Sequence, residues 1–428
     1  MPLKLHRPLA EQVVNALHQI FGEGYHADKV IERLFKHNRR LGARDRRFVA
    51  ESTYEMVRWW KLIWSAMGED EADPERLWAA LGSWLLIKQS QDSRIEKWLP
   101  GVANKESLYE VPQWPEFQTL SERVLLKNLA QAIEIPSILY SVPEWLYQLG
   151  AEELGTETWQ TYLHALNLQA PVVLRANRLK TNREALQEIL AKEDIHTDWA
   201  PQTEDGLILR ERKNVFTAAC FKSGFFEVQD GASQAVTPLL RLEPGLRVID
   251  ACAGAGGKTL HMASLMNNKG KIIALDYGDS GTRKLDELRK RCSRAGVDIV
   301  EARLIDSAKT IKRLENSADR VLLDVPCSGL GVLRRNPDTK WKLTIDSLDQ
   351  VREAQKSILE SYSKMTKPGG LMVYATCSIL PSENELQVKN FLEKSQPGQW
   401  KLISEHRFVP GENGYDGFYA ALLEKENQ

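Results

Sequence analysis

Cysteine is scarce in this 428-residue chain: five residues (Cys220, Cys252, Cys292, Cys327 and Cys377), odd in number, scattered, and with no C-x-x-C pair. That leaves no frame for a disulfide-stapled fold and no thiols at zinc-site spacing, so free thiols in a reducing compartment and no bound metal are expected. Long hydrophobic runs are missing as well. Nothing approaches the roughly eighteen apolar residues of a membrane helix, and residues 1–7 lack the apolar core of a secretory leader. A cytoplasmic protein with no membrane partner is expected, with a monomer as the default. Excess positive charge is absent too: 57 Lys and Arg stand against 58 Asp and Glu, a formal charge of −1. Any binding of nucleic acid must then rest on local basic patches. One such patch lies at 33–47, where Arg33, Lys36, Arg39, Arg40, Arg44, Arg46 and Arg47 face the single acid Asp45. Taken alone, it reads as a solvated helix face and loop.

What is present is ordinary for a globular protein, 43% hydrophobic and 27% charged residues. At about 100–200 residues per domain the length predicts two to four domains. From residue 9 to about 148 the pattern is helical: Val13, Val14, Leu17, Ile20 and Phe21 recur at helical spacing, as do Phe48, Val49, Tyr54, Val57 and Trp60. Trp59, Trp60, Trp64, Trp78 and Trp84 read as packing in an all-α domain. A small α/β module follows, with extended pieces at 172–174, 206–209 and 224–228 and a helix at 183–192. Beyond residue 232, strands predicted at 247–250, 271–276, 299–304, 320–324, 371–375, 400–404 and 418–423 alternate mostly with helices. This predicts a largely parallel, doubly wound sheet. The expected domains are 1–145, 146–230 and 231–428.

Apolar strands in the last region run into polar residues at their carboxyl ends: Asp250, Asp276, Asp306, Asp324 and Cys377. In an open parallel sheet these ends share the edge where ligands bind. Any one aspartate could be a helix cap, but five polar strand ends in register weaken that reading. The first turn, Asp250-Ala-Cys-Ala-Gly-Ala-Gly-Gly-Lys-Thr259, matches neither a P-loop nor a dinucleotide fingerprint, because Cys252 and Thr259 stand where those motifs need glycine. A glycine loop opening a helix, with Asp276 ending the next strand in position for ribose hydroxyls, suits an adenosine cofactor without a pyrophosphate. Two strands, Leu322-Leu-Asp-Val-Pro-Cys-Ser-Gly329 and Tyr374-Ala-Thr-Cys-Ser378, each bring a cysteine to that edge. A lone cysteine is more often a small buried hydrophobe. Paired thiols, however, suit cytosine C5 chemistry, in which thiolate addition at C6 makes C5 nucleophilic and a second group removes the C5 proton.

At these residues the sequence resembles the RsmB/Nop family of RNA cytosine-C5 methyltransferases. The likeness runs through 250–259, Asp324-Val-Pro-Cys-Ser328, Arg334-Arg-Asn-Pro-Asp338 with Lys340-Trp341, Thr376-Cys-Ser-Ile-Leu-Pro-Ser-Glu-Asn384 and Asp416-Gly-Phe-Tyr419, with Val228-Gln-Asp-Gly-Ala-Ser233 upstream. The resemblance implies a Rossmann-like class I methyltransferase domain with a mostly parallel seven-stranded sheet. S-adenosyl-L-methionine would be held by Cys252, Ala253, Gly254, Ala255, Gly256, Gly257 and Lys258 with Asp276, Asp306 and Asp324. It makes Cys377 the nucleophile and Cys327 the group that releases product, with Asp324 on the cytosine N3/N4 edge. Arg334, Arg335, Lys340 and Trp341 become RNA contacts. The helical part is similar to the NusB-like domain of bacterial members, which points to 16S ribosomal RNA, and the middle module is RRM-like by the same likeness. With Leu423 close to the end, no RNA-binding domain is expected after the last strand.

Two departures stand out. Ala255 replaces the family's usual proline, and alanine adopts proline's angles without enforcing them, so weaker cofactor binding is expected. The turn Tyr-Gly-Asp-Ser-Gly281 after Asp276 reads as longer than usual before Arg283 and Leu285. Alternative functions are a tRNA cytosine-C5 methyltransferase and a non-catalytic RNA-binding or assembly factor on the same fold, although binding alone needs neither thiol.

Overall fold

Helical spacing of apolar residues dictates the N-terminal architecture. Helix Arg7–Phe21 buries Leu9, Ala10, Val13, Val14, Leu17 and Ile20 along one stripe. It packs with helices Ala43–Arg58, Trp60–Ala66 and Leu77–Gln89 around Trp59, Trp60, Trp64 and Trp84, all buried, with Trp78 partly so. Phe21 stacks on Trp60 with ring centroids 3.7 Å apart. The tryptophans are thus core, as their spacing suggests. This computed structural model describes residues 3–99, 102 and 109–427. Within them a short parallel pair, β1 (Leu3–Lys4) and β2 (Tyr109–Glu110), flanks the helices.

The chain divides into two compact units, Met1–Gln169 with Leu333–Leu343, and Ala170–Val332 with Thr344–Gln428. This differs from the three-part division expected at 145 and 230. Helices Glu144–Leu154 and Thr156–Asn167 belong with the helical unit, burying Leu146, Trp159 and Leu163. The small module shares a unit with the large sheet.

That module holds β3 (Val173–Ala176), β4 (Thr197–Trp199), β5 (Gly206–Leu209) and β6 (Phe226–Val228), antiparallel in the order β4-β5-β3-β6. Helix Arg183–Lys192, capped by the Asn182 side chain, links β3 to β4. The order of strands and helices is the β-α-β-β-α-β arrangement of ferredoxin-like folds.

The larger sheet is seven-stranded and mixed: β7 (Arg247–Asp250), β8 (Lys271–Tyr277), β9 (Val300–Ile305), β10 (Ala318–Asp324), β11 (Thr366–Thr376), β12 (Trp400–Phe408) and β13 (Phe418–Lys425), in the order β12-β13-β11-β10-β7-β8-β9. Strands β7 to β11 are mutually parallel, while β13 runs antiparallel between β11 and β12. Val248, Ile249, Ile272, Ile273, Val321, Leu322 and Val373 are fully buried, as expected of strands covered on both faces. The strand order reverses between β7 and β10, and the crevice of such folds opens at that switch point.

Candidate functional site

Strand register creates the site. β10 and β11 are parallel neighbours with Asp324 opposite Ala375, so Cys327 and Cys377 emerge side by side. Their sulfurs are 3.0 Å apart. The loops carrying them are joined by Glu383, a fully buried carboxylate. Its Oε1 accepts from the hydroxyls of Ser328 and Ser378, each at 2.5 Å, and its Oε2 accepts from the Ser328 amide (2.8 Å) and Gln355 Nε2 (2.9 Å). Gln355 also donates to the Pro326 carbonyl at 3.0 Å. Behind the thiols the Gly331 amide donates to the Cys377 carbonyl at 2.9 Å. A Cβ on Gly331 would lie 2.0 Å from the Gly417 carbonyl oxygen, so only glycine permits that approach.

Along the same edge, toward β9, lie Asp324, Asp250, Asp276 and Asp306. Asp276 receives the Gly254 amide on Oδ2 and the Tyr277 amide on Oδ1, both at 2.8 Å, which fixes its carboxylate beside the glycine loop. Lys258, on the first turn of helix Gly257–Leu265, donates to Asp324 Oδ2 at 2.7 Å. Asp250 accepts from the Thr259 hydroxyl at 2.6 Å, while its other carboxylate oxygen has no partner among the described residues. Gly256 takes φ +86° and packs against Leu288, whose Cδ1 would lie 2.0 Å from any Cβ there. Asp306 is exposed and accepts from Thr310 and Ser307, so it also serves the start of the helix Ala308–Lys312. Beside it is a cavity of about 610 Å³ lined by Tyr277, Ile305, Asp306, Ile311 and Tyr362 among others.

The electrostatics follow from burial. Desolvation, opposed by the Thr259 bond, pushes Asp250 up to about 7. The Cys377 sulfur, burial and Glu383 push the Cys327 thiol well above its ordinary value, although part of the residue reaches the surface. Burial raises Cys252 strongly too, and lifts Cys220 and Cys292 to about 11. A row of carboxylates, a fixed glycine loop at a helix N-terminus and an adjoining cavity with aromatic walls suit a ligand that carries a ribose, a flat ring and a positive charge. S-adenosylmethionine has all three, so the residues present fit it.

The structure therefore brings together Cys327, Cys377, Asp324, the 252–258 loop, Asp276 and Asp306. Arg334, Lys340 and Trp341, expected as RNA contacts, are engaged within the helical unit. Lys340 is fully buried in the helical unit, donating to the Arg58 carbonyl at 2.8 Å. The Trp341 indole donates to the Val57 carbonyl at 2.7 Å. Buried Arg334 donates to the Gln169 carbonyl at 2.9 Å, and its own carbonyl accepts from Arg58. Arg335 is half-buried. Asp338 meets the Ala27 amide at 3.1 Å and so caps helix Ala27–His37. The long turn expected after Asp276 is also absent, because helix Gly278–Ala295 starts two residues later and contains Arg283 and Leu285.

Sequence reasoning left Glu383 without a role. The available signal was a serine directly after each cysteine with a glutamate close behind the second. Gln355 carries no such signal.

A family model described as "16S rRNA methyltransferase RsmB/F" matches residues 237–424, and one for the ferredoxin-like domain of RsmF/B-like methyltransferases matches 142–216. The chain is 36% identical over 311 residues to the ribosomal RNA small subunit methyltransferase B of Vibrio cholerae, covering 70% of this chain and 68% of that one. A probable ribosomal RNA small subunit methyltransferase B from Synechocystis is 33% identical over 301 residues, 67% of each chain. Among solved structures, PH0851 superposes with a TM-score of 0.78 at 26% identity, covering 99% of this chain and 100% of that one.

Proposed function

We propose that this chain, which belongs to the RsmB/F family of 16S rRNA methyltransferases, methylates carbon 5 of a cytosine in 16S ribosomal RNA through a covalent bond between Cys377 and C6. The observation that carries this reading is the pair of thiols 3.0 Å apart at the sheet edge beside Asp324. S-adenosylmethionine, held by the 252–258 loop with Asp276, Asp306 and Asp324, supplies the electrophilic methyl group.

The protein's own residues do the rest. Cytosine C5 is a poor nucleophile until the Cys377 thiolate adds at C6 and turns the ring into an enamine. Asp324, oriented by Lys258, accepts from the N4 amino group and orients the ring for attack at C6. Cys327 acts at release: as a thiolate it takes the C5 proton, and the C5–H electron pair re-forms the C5=C6 bond and expels the Cys377 thiolate. The target base must be unpaired or flipped out to present C6. The helical unit serves as a NusB-like RNA-binding domain and the ferredoxin-like module as an RRM-like link, with the exposed Arg39, Arg40 and Arg44 supplying phosphate contacts.

A pair of variants tests the chemistry. Cys377→Ala abolishes methyl transfer, whereas Cys327→Ala permits attack and accumulates a protein–RNA adduct that survives denaturing electrophoresis. The reverse pattern overturns the assignment. Bisulfite sequencing of cells lacking the gene tests the target, and loss confined to tRNA would refute 16S rRNA.

A further inference from the structure

We infer that the ferredoxin-like module sets the affinity for the cofactor, acting through Glu227 and Arg291 as positioning residues for the glycine loop. This rests on the reading of 252–258 as the S-adenosylmethionine cradle.

The loop's carbonyls are held by two arginines, one on a helix of the Rossmann-like core and one on a strand of the small module. Arg291, on helix Gly278–Ala295, donates from one nitrogen to the Ala255 carbonyl (2.8 Å) and from another to Glu227 Oε2 (2.8 Å). Glu227 lies on β6 of the small module and is buried. Its second oxygen accepts from Arg294 at 2.5 Å, and the Arg294 guanidinium sits 4.1 Å from the Phe221 ring centre of the same module. Two residues along the loop, the Gly257 carbonyl accepts from Arg175 of β3 at 2.9 Å, and Arg175 also binds Gln229. The carbonyls of Ala255 and Gly257, on either side of the left-handed Gly256, are thus tied to module strands β6 and β3.

The tie matters because of what the loop lacks. A proline at 255 would restrict φ covalently, and alanine leaves that torsion free. Here the guanidinium fixes the Ala255 carbonyl instead, and Glu227 fixes the guanidinium. A planar guanidinium can serve both acceptors at once. Removing Glu227 leaves two half-buried arginines without their carboxylate, and Arg291 is then no longer aimed at the loop. A loop that must be ordered on binding lowers affinity while leaving the chemistry at the thiols intact.

The test is isothermal titration of S-adenosylmethionine into full-length protein, with melting measured in parallel to confirm folding. Glu227→Gln and Arg291→Met should each raise the dissociation constant about tenfold, with turnover at saturating cofactor changed less than twofold. The double variant should bind no worse than the weaker single variant, because both break one chain of contacts. Arg294→Met loses its bond to Glu227 but none to the loop, and should shift the constant less than twofold. Arg291→Lys keeps the charge, cannot serve both acceptors, and should fall between wild type and Arg291→Met; it is the decisive variant if Arg291→Met does not fold. Unchanged affinity in folded Glu227→Gln or Arg291→Lys overturns the inference, as does equal weakening in Arg294→Met. If the wild-type protein itself fails to bind S-adenosylmethionine, the cofactor reading falls instead.

Discussion

Glu383 shows how one side chain can set the geometry of two others. A single buried carboxylate accepts four hydrogen bonds from Ser328, Ser378 and Gln355 and so keeps the two cysteine loops in contact. Glu383→Gln must turn an NH2 toward at least one of these donors, which separates the loops. Methyl transfer should fall by about a hundredfold, the scale of a 1 Å misplacement, while cofactor binding by calorimetry stays unchanged; full activity would remove Glu383 from the mechanism. Thiol chemistry gives a second expectation at this scale. Four cysteines have their thiols pushed up by their surroundings, so brief alkylation near neutral pH followed by mass spectrometry should find Cys377 labelled first. Equal labelling of all five would count against its role. Asp250 gives a third. Its carboxyl sits at about 7 in the folded protein against an ordinary 3.8. The folded state therefore binds the proton more tightly, and the cost of ionising Asp250 is absent below about pH 4 and complete above about pH 7. Asp250→Asn removes the titration, so its melting temperature should gain on wild type between pH 5 and pH 8. A gap that is flat with pH would show that Asp250 is not held neutral.

At the scale of elements, the strands were legible because they are bounded by abrupt changes of polarity. The strand expected at 247–250 is β7, and the one expected at 320–324 lies within β10, since an apolar run ending in aspartate has few other solutions in a parallel sheet. Strand β4 was not foreseen: three residues, two of them exposed, carry too little periodicity. The segment Leu333–Leu343 misled for a different reason. Arginines and lysines beside a tryptophan suggest nucleic acid when long-range partners are unseen, yet here the main-chain carbonyls of Gln169, Arg58 and Val57 absorb the donors. Two variants separate these situations. Lys340→Met should leave the salt dependence of RNA binding unchanged, because no phosphate contact is lost, and its effect should appear in the melting temperature instead. Arg40→Ala, on an exposed turn, should weaken RNA binding and lower the slope of log K against log salt by about one. A reduced slope for Lys340→Met would restore it as a phosphate ligand.

For the molecule as a whole, the consequential fact is that the chain visits the helical unit twice. It leaves the catalytic unit after Val332, contributes Leu333–Leu343 to the helical unit, and returns at Thr344 to begin helix Ile345–Tyr362, which carries Gln355. No single cut therefore yields two complete units, and this is the part of the architecture that reading along the sequence could not reach. Within the helical unit the segment supplies Asp338 to the Ala27 amide, Lys340 to the Arg58 carbonyl and the Trp341 indole to the Val57 carbonyl. A fragment of residues 1–169 lacks all three and exposes the apolar surface that Trp341 covers. It should melt below the temperature at which the same helices unfold in the full chain. A synthetic peptide of residues 333–343 should restore part of the loss in a concentration-dependent way, because a ligand that binds only the folded state stabilises it by mass action, by about 2.7 kcal/mol at a hundred times its dissociation constant. A peptide in which alanine replaces the residues at 338, 340 and 341 should do nothing. If the native peptide leaves the fragment's melting temperature unmoved, the segment does not belong to the helical core, and Lys340 and Trp341 become available again as RNA contacts.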